Sequence, residues 1–198
     1  LSGGVVIDGS ADYHTLPFSI ECRAKLESKD SFNILVACNP KSAATHWELY
    51  THAGRGTLAL FIPGRGGDYD SKINICDGKW HNLLASVDEK LVTLWIDGKM
   101  VLEKATGTPG PDHPAKQEAL AFGRLVEGTL GCDGIIDDVR LSRGAMKPRK
   151  GDGPRLRMDN TLGLWSFDDI GTAAVAVKVP APAEFKPGLK PLNADDNV

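Results

Sequence analysis

The chain has no C-x-x-C pair, no apolar run near the roughly 20 residues that cross a bilayer, and no helical period sustained over several turns. Its four cysteines, Cys22, Cys38, Cys76 and Cys132, lie far apart, which excludes a zinc ribbon and a thioredoxin-like site. Their spacing does not choose between buried free thiols and disulfides. Cys22 alternates with Phe18, Ile20, Ala24 and Leu26 and is expected to point into a core. No G-x-S-x-G elbow, H-E-x-x-H helix or G-x-x-x-x-G-K-[ST] loop occurs, so the common serine-hydrolase, zincin and phosphate-cradling motifs are absent.

An excess of positive charge is also lacking. With 23 Lys and Arg against 26 Asp and Glu, the net charge of −3 argues against nucleic acid as a partner. The one basic cluster, Lys147, Arg149, Lys150, Arg155 and Arg157, is broken by Pro148 and Pro154 and reads as a solvated linker. Membrane insertion is not expected either. The chain starts at Leu1 and reads as a mature or excised piece of a larger protein.

What the chain does have is punctuation: 22 glycines and 12 prolines between short apolar runs. Strands are expected at 4–8, 17–26, 32–38, 46–51, 57–62, 72–76, 80–87, 91–97, 100–104, 119–124, 134–142 and 162–168. From Phe18 to Leu26, Ser19, Glu21, Arg23 and Lys25 alternate with the apolar set, the mark of an antiparallel sheet with one wet face. Asp77 to Lys99 reads as a hairpin turning at Asp88-Glu89-Lys90 and feeding a second hairpin at Asp97-Gly98. Longer connections are expected at 39–45, 63–71 and 105–118, and a linker-like stretch at 144–160. These elements form one all-β domain over 1–179, followed by a proline-rich arm over 180–198.

The strings V-V-I-D-G-S-A-D-Y (5–13), F-S-I-E-C-R (18–23), D-G-K-W-H-N-L-L-A (77–85), V-T-L-W-I-D-G-K (92–99), A-F-G-R (121–124) and G-I-I-D-D-V-R-L-S-R (134–143) resemble, in order and spacing, the laminin-G-like branch of the concanavalin A-like lectin/glucanase superfamily. The resemblance implies a jelly-roll β-sandwich of two curved antiparallel sheets. Members often begin with a strand of the type L-x-x-x-W-x-F-D-E, which is missing before Val5. A matching string runs from Leu162 to Asp169 instead, and 162–168 is expected to return as a sheet strand in that place, the alternative being that it opens a following repeat.

The resemblance also implies a structural calcium at the sandwich rim, held by Asp137 with groups of the Asp8-Gly9 turn. Asp137 shares its alternation face with Ile135, Val139 and Leu141, and a carboxylate on a core-facing row must be paired, hydrogen-bonded or metal-bound. Backbone amides or an arginine would satisfy it equally. The loop Pro63 to Asp70 is the best candidate recognition surface, because Arg65, Asp68, Tyr69 and Asp70 combine the groups that sugar hydroxyls need. A solvated hairpin loop is the plainer alternative. Trp47 lies near that loop in sequence, with His46, Tyr50 and His52, while Trp95 opposes Val92, Leu94 and Ile96 and would stack on a ligand from an open sheet face. His81 and Trp80 read as packing residues.

Glycosidases of this superfold resemble one another in an E-x-D-x-x-E strand, whose paired carboxylates supply nucleophile and acid. That string is absent here, and Glu21 and Glu48 have no acidic neighbour two residues away. The expected function is therefore a non-catalytic carbohydrate-binding or adhesion module. Its setting would be extracellular, periplasmic or at the cell surface, with covalently linked neighbouring domains and a glycan or protein ligand. The alternatives are an interaction module docking on a neighbouring domain and a glycoside-active enzyme with an unrecognised site.

Overall fold

A computed structural model describes residues 3–110, 114–148 and 157–168. Twelve strands form two antiparallel six-stranded sheets, the jelly-roll sandwich that the resemblance implies. The first sheet runs β1 (Val5–Asp8), β10 (Ala119–Phe122), β3 (Asn33–Cys38), β4 (Trp47–Thr51), β5 (Thr57–Ile62), β6 (Gly67–Asn74). The second runs β12 (Thr161–Trp165), β11 (Gly134–Arg143), β2 (Phe18–Leu26), β7 (Trp80–Val87), β8 (Leu91–Ile96), β9 (Lys99–Ala105).

The strand period of two divides each sheet into an inner and an outer face. Inner side chains such as Ile20, Cys22, Leu49, Leu60, Leu94 and Val139 are buried in one continuous core. Phe18 of the second sheet stacks on Trp47 of the first with ring centroids 5.2 Å apart, which joins the two layers at their aromatic centre. The two-residue turn between β8 and β9 has positive φ at both Asp97 and Gly98, a backbone the Asp-Gly pair accepts easily. β12 pairs with β11 and sends Trp165 inward, against Phe122 at 4.9 Å and Tyr13 at 6.3 Å. The arm expected over 180–198 lies outside the described residues.

Two expectations about strands change. Residues 67–71, read as loop, are the first half of β6. The chain reverses at Gly66 and Gly67, both at positive φ, and the following Asp-Tyr-Asp alternates as a strand although it carries charge. The alternation along β11 is also not continuous. A bulge between Asp137 and Arg140, with Asp138 at φ 51°, shifts the phase. Ile135 and Asp137 therefore pair beside Lys25 and Arg23 on the outer face, while Val139 and Leu141 enter the core.

Candidate functional site

The outer face of the first sheet gathers the polar groups. Registers across it give one row Ala37–Glu48–Phe61–Asp68 and a second row Ile34–Tyr50–Ala59–Asp70. Small residues at Ala37, Ala59 and Ala121 let a turn from Leu125 to Leu130 fold down onto this face, where Leu125 is buried against them. The opposite end of the face, over β4 to β6, carries the network.

Tyr50 donates its hydroxyl to Asp68 Oδ1 at 2.9 Å and meets His52 Nε2 at 3.1 Å. His52 Nε2 lies 2.9 Å from Asp68 Oδ2 and 3.6 Å from Asp70 Oδ2. Arg55 and Lys72 close on Asp70 at 3.2 and 2.8 Å. Burial raises the Tyr50 phenol, and the hydrogen bond to Asp68 raises it further, so it remains a donor. Burial alone would raise Asp70 as well, but hydrogen bonds from the Lys72 ammonium and amide and the charge of His52 hold it below the usual carboxylate range. Phe32, 38% exposed, tilts against Tyr50 and His52 with centroids 6.0 and 6.3 Å away. An exposed ring beside fixed carboxylate, imidazole and guanidinium groups suits a ligand with an apolar face and a rim of hydroxyls.

Strand alternation sorts the residues expected at the site. Asp68 and Asp70 face outward into the network, whereas Tyr69 between them is buried and pairs with Leu60 in the core. Trp47 is likewise inward, 1% exposed, with its indole N–H donated to the Tyr13 carbonyl at 2.9 Å, so it has no face to offer a sugar. Arg65 belongs to a one-turn 3-10 helix, Pro63–Arg65, and pairs with Glu89 at 2.8 Å, apart from the network. Trp95 stands on the outer face of the other sheet, in the row Glu21–Leu84–Trp95–Met100. Phe32, Arg55 and Lys72 were missed by sequence reasoning. Phe32 and Arg55 lie just outside β3 and β5, and Lys72, at φ 64°, breaks the alternation of β6.

Asp8 lies on β1 and Asp137 on β11, in opposite sheets. Arg23 Nη1 stands 3.7 Å from Asp137 and 3.2 Å from Asp138, supplying the arginine partner. Among the described residues no three His, Cys, Asp or Glu side chains converge to hold a metal. All four cysteines are free, with Cys22 and Cys38 buried and their thiols pushed up by burial.

Two antiparallel sheets closed on one core, with a polar and aromatic outer face, define a jelly-roll sandwich built to present a sheet surface. The chain belongs to the concanavalin A-like lectin/glucanases superfamily, whose laminin G family model matches residues 2–150. Solved structures share the fold. Domain 4 of AbnA, a GH43 extracellular arabinanase from Geobacillus stearothermophilus in complex with arabinotriose, is 25% identical with a TM-score of 0.50, over 67% of this chain and 63% of that one. Mouse laminin α1 domains LG4-5 are 14% identical with a TM-score of 0.57, over 77% of this chain and 42% of that one. The CBM40 of the Ruminococcus gnavus IT-sialidase is 13% identical with a TM-score of 0.54, over 74% of this chain and 90% of that one. This chain thus spans under two thirds of the arabinanase and laminin chains. No curated protein matches it. Among the described residues no helix is long and apolar enough to cross a membrane.

Proposed function

We propose that this domain is a non-catalytic carbohydrate-binding module that holds a neutral glycan on the outer face of its first sheet. The observation that carries the reading is the Tyr50–His52–Asp68 network beside the exposed ring of Phe32. The ring supplies a stacking platform, and the fixed donors and acceptors supply orientation. The match to an arabinanase domain solved with arabinotriose supports a glycan as ligand and an extracellular setting. The non-catalytic reading is supported by the absence of the E-x-D-x-x-E strand from the sequence.

Titration of the protein with neutral oligosaccharides, arabino-oligosaccharides among them, tests the site. Phe32→Ala and Asp68→Asn are each expected to weaken binding about tenfold, the loss of one good contact. Trp95→Ala on the other sheet should leave it unchanged. Equal affinity in wild type, Phe32→Ala and Asp68→Asn would remove this face as the site.

A second reading, docking on a neighbouring domain, draws on the outer face of the second sheet. There Ile135 and Trp80, 54% and 40% exposed, flank Lys25 in one cross-strand row.

A further inference from the structure

At one end of the sandwich, away from the network on the sheet, the loops enclose a cleft of about 400 Å³. Its lining mixes polar groups such as Thr15 and Thr45 with the buried edges of Phe18 and Ile62, and Arg65 and Glu89 stand at its wall. A cleft of this size matches one or two sugar units, since small-ligand sites begin at about 300 Å³.

The cleft is preformed. Gly107 N–H donates to the Arg65 carbonyl at 3.0 Å, and Gly110 N–H donates to the Gly64 carbonyl at 2.9 Å. The buried Tyr69 hydroxyl also donates to the Arg65 carbonyl and accepts from Gly107 N–H at 3.1 Å. A Cβ at Gly107 would come within 2.7 Å of the Arg65 oxygen, so only glycine lets these two segments lie in contact. Tyr69, expected to touch a sugar, instead fixes the backbone of a residue that lines the cleft.

The Arg65 side chain is 22% exposed, and its Nη1 donates to Glu89 Oε2 at 2.8 Å. Glu89 is 66% exposed, so its partnership is screened and cheap to give up. Among the described residues the remaining N–H groups of Arg65 have no partner, and a guanidinium binds a carboxylate best through two parallel bonds. A half-buried guanidinium held on a rigid backbone, tied by one bond to a solvent-exposed acid, is set to exchange that acid for a ligand's carboxylate.

We infer that the cleft is a second binding site, for the carboxylate-bearing terminal residue of an acidic glycan. The carboxylate replaces Glu89 on Arg65, and the rest of the sugar occupies the cleft beside it. The choice of a sugar rather than another carboxylate rests on the reading of the domain as a carbohydrate-binding module. The site itself shares no residue with the Tyr50 network.

Titration of the full chain with sodium glucuronate, glucose and sodium acetate, followed by amide chemical shifts, tests the inference. Saturable shifts are expected around 63–66 and 105–110 with glucuronate, and no saturation with glucose. Arg65→Gln should weaken glucuronate binding at least about tenfold, the scale of one charge-assisted pair. Glu89→Gln, by removing the competitor, should strengthen it about threefold, a rise that a merely structural Arg65–Glu89 pair would not produce. Tyr50→Phe should leave glucuronate binding unchanged, so failure of the sheet-face site is read separately from failure of the cleft. Unaltered glucuronate affinity in Arg65→Gln, or absence of any glucuronate binding, would overturn the site. Acetate binding as tightly as glucuronate would overturn the assignment to a sugar.

Discussion

Tyr50 donates its hydroxyl to Asp68 at 2.9 Å across the whole width of β5, from β4 to β6. The bond ties the outer surface of three strands together and aims the Asp68 carboxylate. Ala59 lies between Tyr50 and Asp70 in the neighbouring row, and its small side chain leaves room for the phenol to reach. Tyr50→Phe removes one bond to a charged acceptor while keeping the ring, and should cost about 1–2 kcal/mol of stability. Urea unfolding measures the loss. A difference within error of zero would mean that the bond orients Asp68 without supporting the fold.

Glu48 is the deepest carboxylate on the same face. It is 2% exposed, with Oε1 3.0 Å from Lys41 and Oε2 3.5 Å from His46 Nε2. His46 spends its Nδ1 on the carbonyls of Cys38 and Asn39, so Nε2 carries a hydrogen toward Glu48 only as the imidazolium. Among the described residues neither Glu48 Oε2 nor His46 Nε2 has a hydrogen-bond partner. Glu48→Ala removes the partner of Lys41 and empties buried space beside His46, and should destabilise by about 2 kcal/mol. Glu48→Gln offers an amide N–H to a neutral imidazole and should recover more than half of that loss. Chemical denaturation of both variants checks the order, and equal stability of the two would exclude pairing as the role of Glu48.

At the end of the second sheet, His81 donates Nδ1 to Asp97 at 2.8 Å and Nε2 to Asp77 at 3.1 Å, which both require the imidazolium. Burial alone would lower the His81 pKa, but the hydrogen bonds to Asp97 and Asp77 and their charges outweigh it, leaving the pKa above its ordinary 6.5. A group whose folded value is raised gives its full stabilisation below the unfolded value and loses it as pH rises through the folded one. Unfolding free energy should therefore fall from about pH 6.5 upward through the raised value. His81→Gln should flatten that slope. A slope unchanged in the variant would place the titration elsewhere.

Much of this molecule was legible in its sequence because apolar alternation and turn chemistry agree over long stretches. Phe18–Leu26 and Trp80–Val87 show the first, and Asp97-Gly98 shows the second. Where one residue breaks the phase, the reading fails. The bulge at Asp138 turned Asp137 from an expected inner position to an outer one beside Arg23. The site was half legible. In the sequence Asp68 and Asp70 read with Tyr69 and Arg65 as one loop, but a strand begins at Gly67 and sends neighbours to opposite faces. Phe32 and Arg55 reach the network from outside the strands, and no local pattern marks such residues before the sheet order is known.

Gly163, between Leu162 and Leu164 in β12, is a position where any side chain collides with the core. A Cβ there would overlap the indole of Trp165, which is 6% exposed and packs on Phe122 and Tyr13. The glycine therefore lets the indole fold back along its own strand and seal the edge of the second sheet against the first. Gly163→Ala must push the indole off that surface and should cost about 1–3 kcal/mol, the scale of overpacking in a filled core. Its tryptophan emission should shift to the red as Trp165 gains water. Trp165→Leu fits beside an alanine, so the double variant Gly163→Ala/Trp165→Leu should be no less stable than Trp165→Leu alone. If Gly163→Ala costs the same in both backgrounds, the collision is not with Trp165, and backbone freedom at Gly163 is the cause instead.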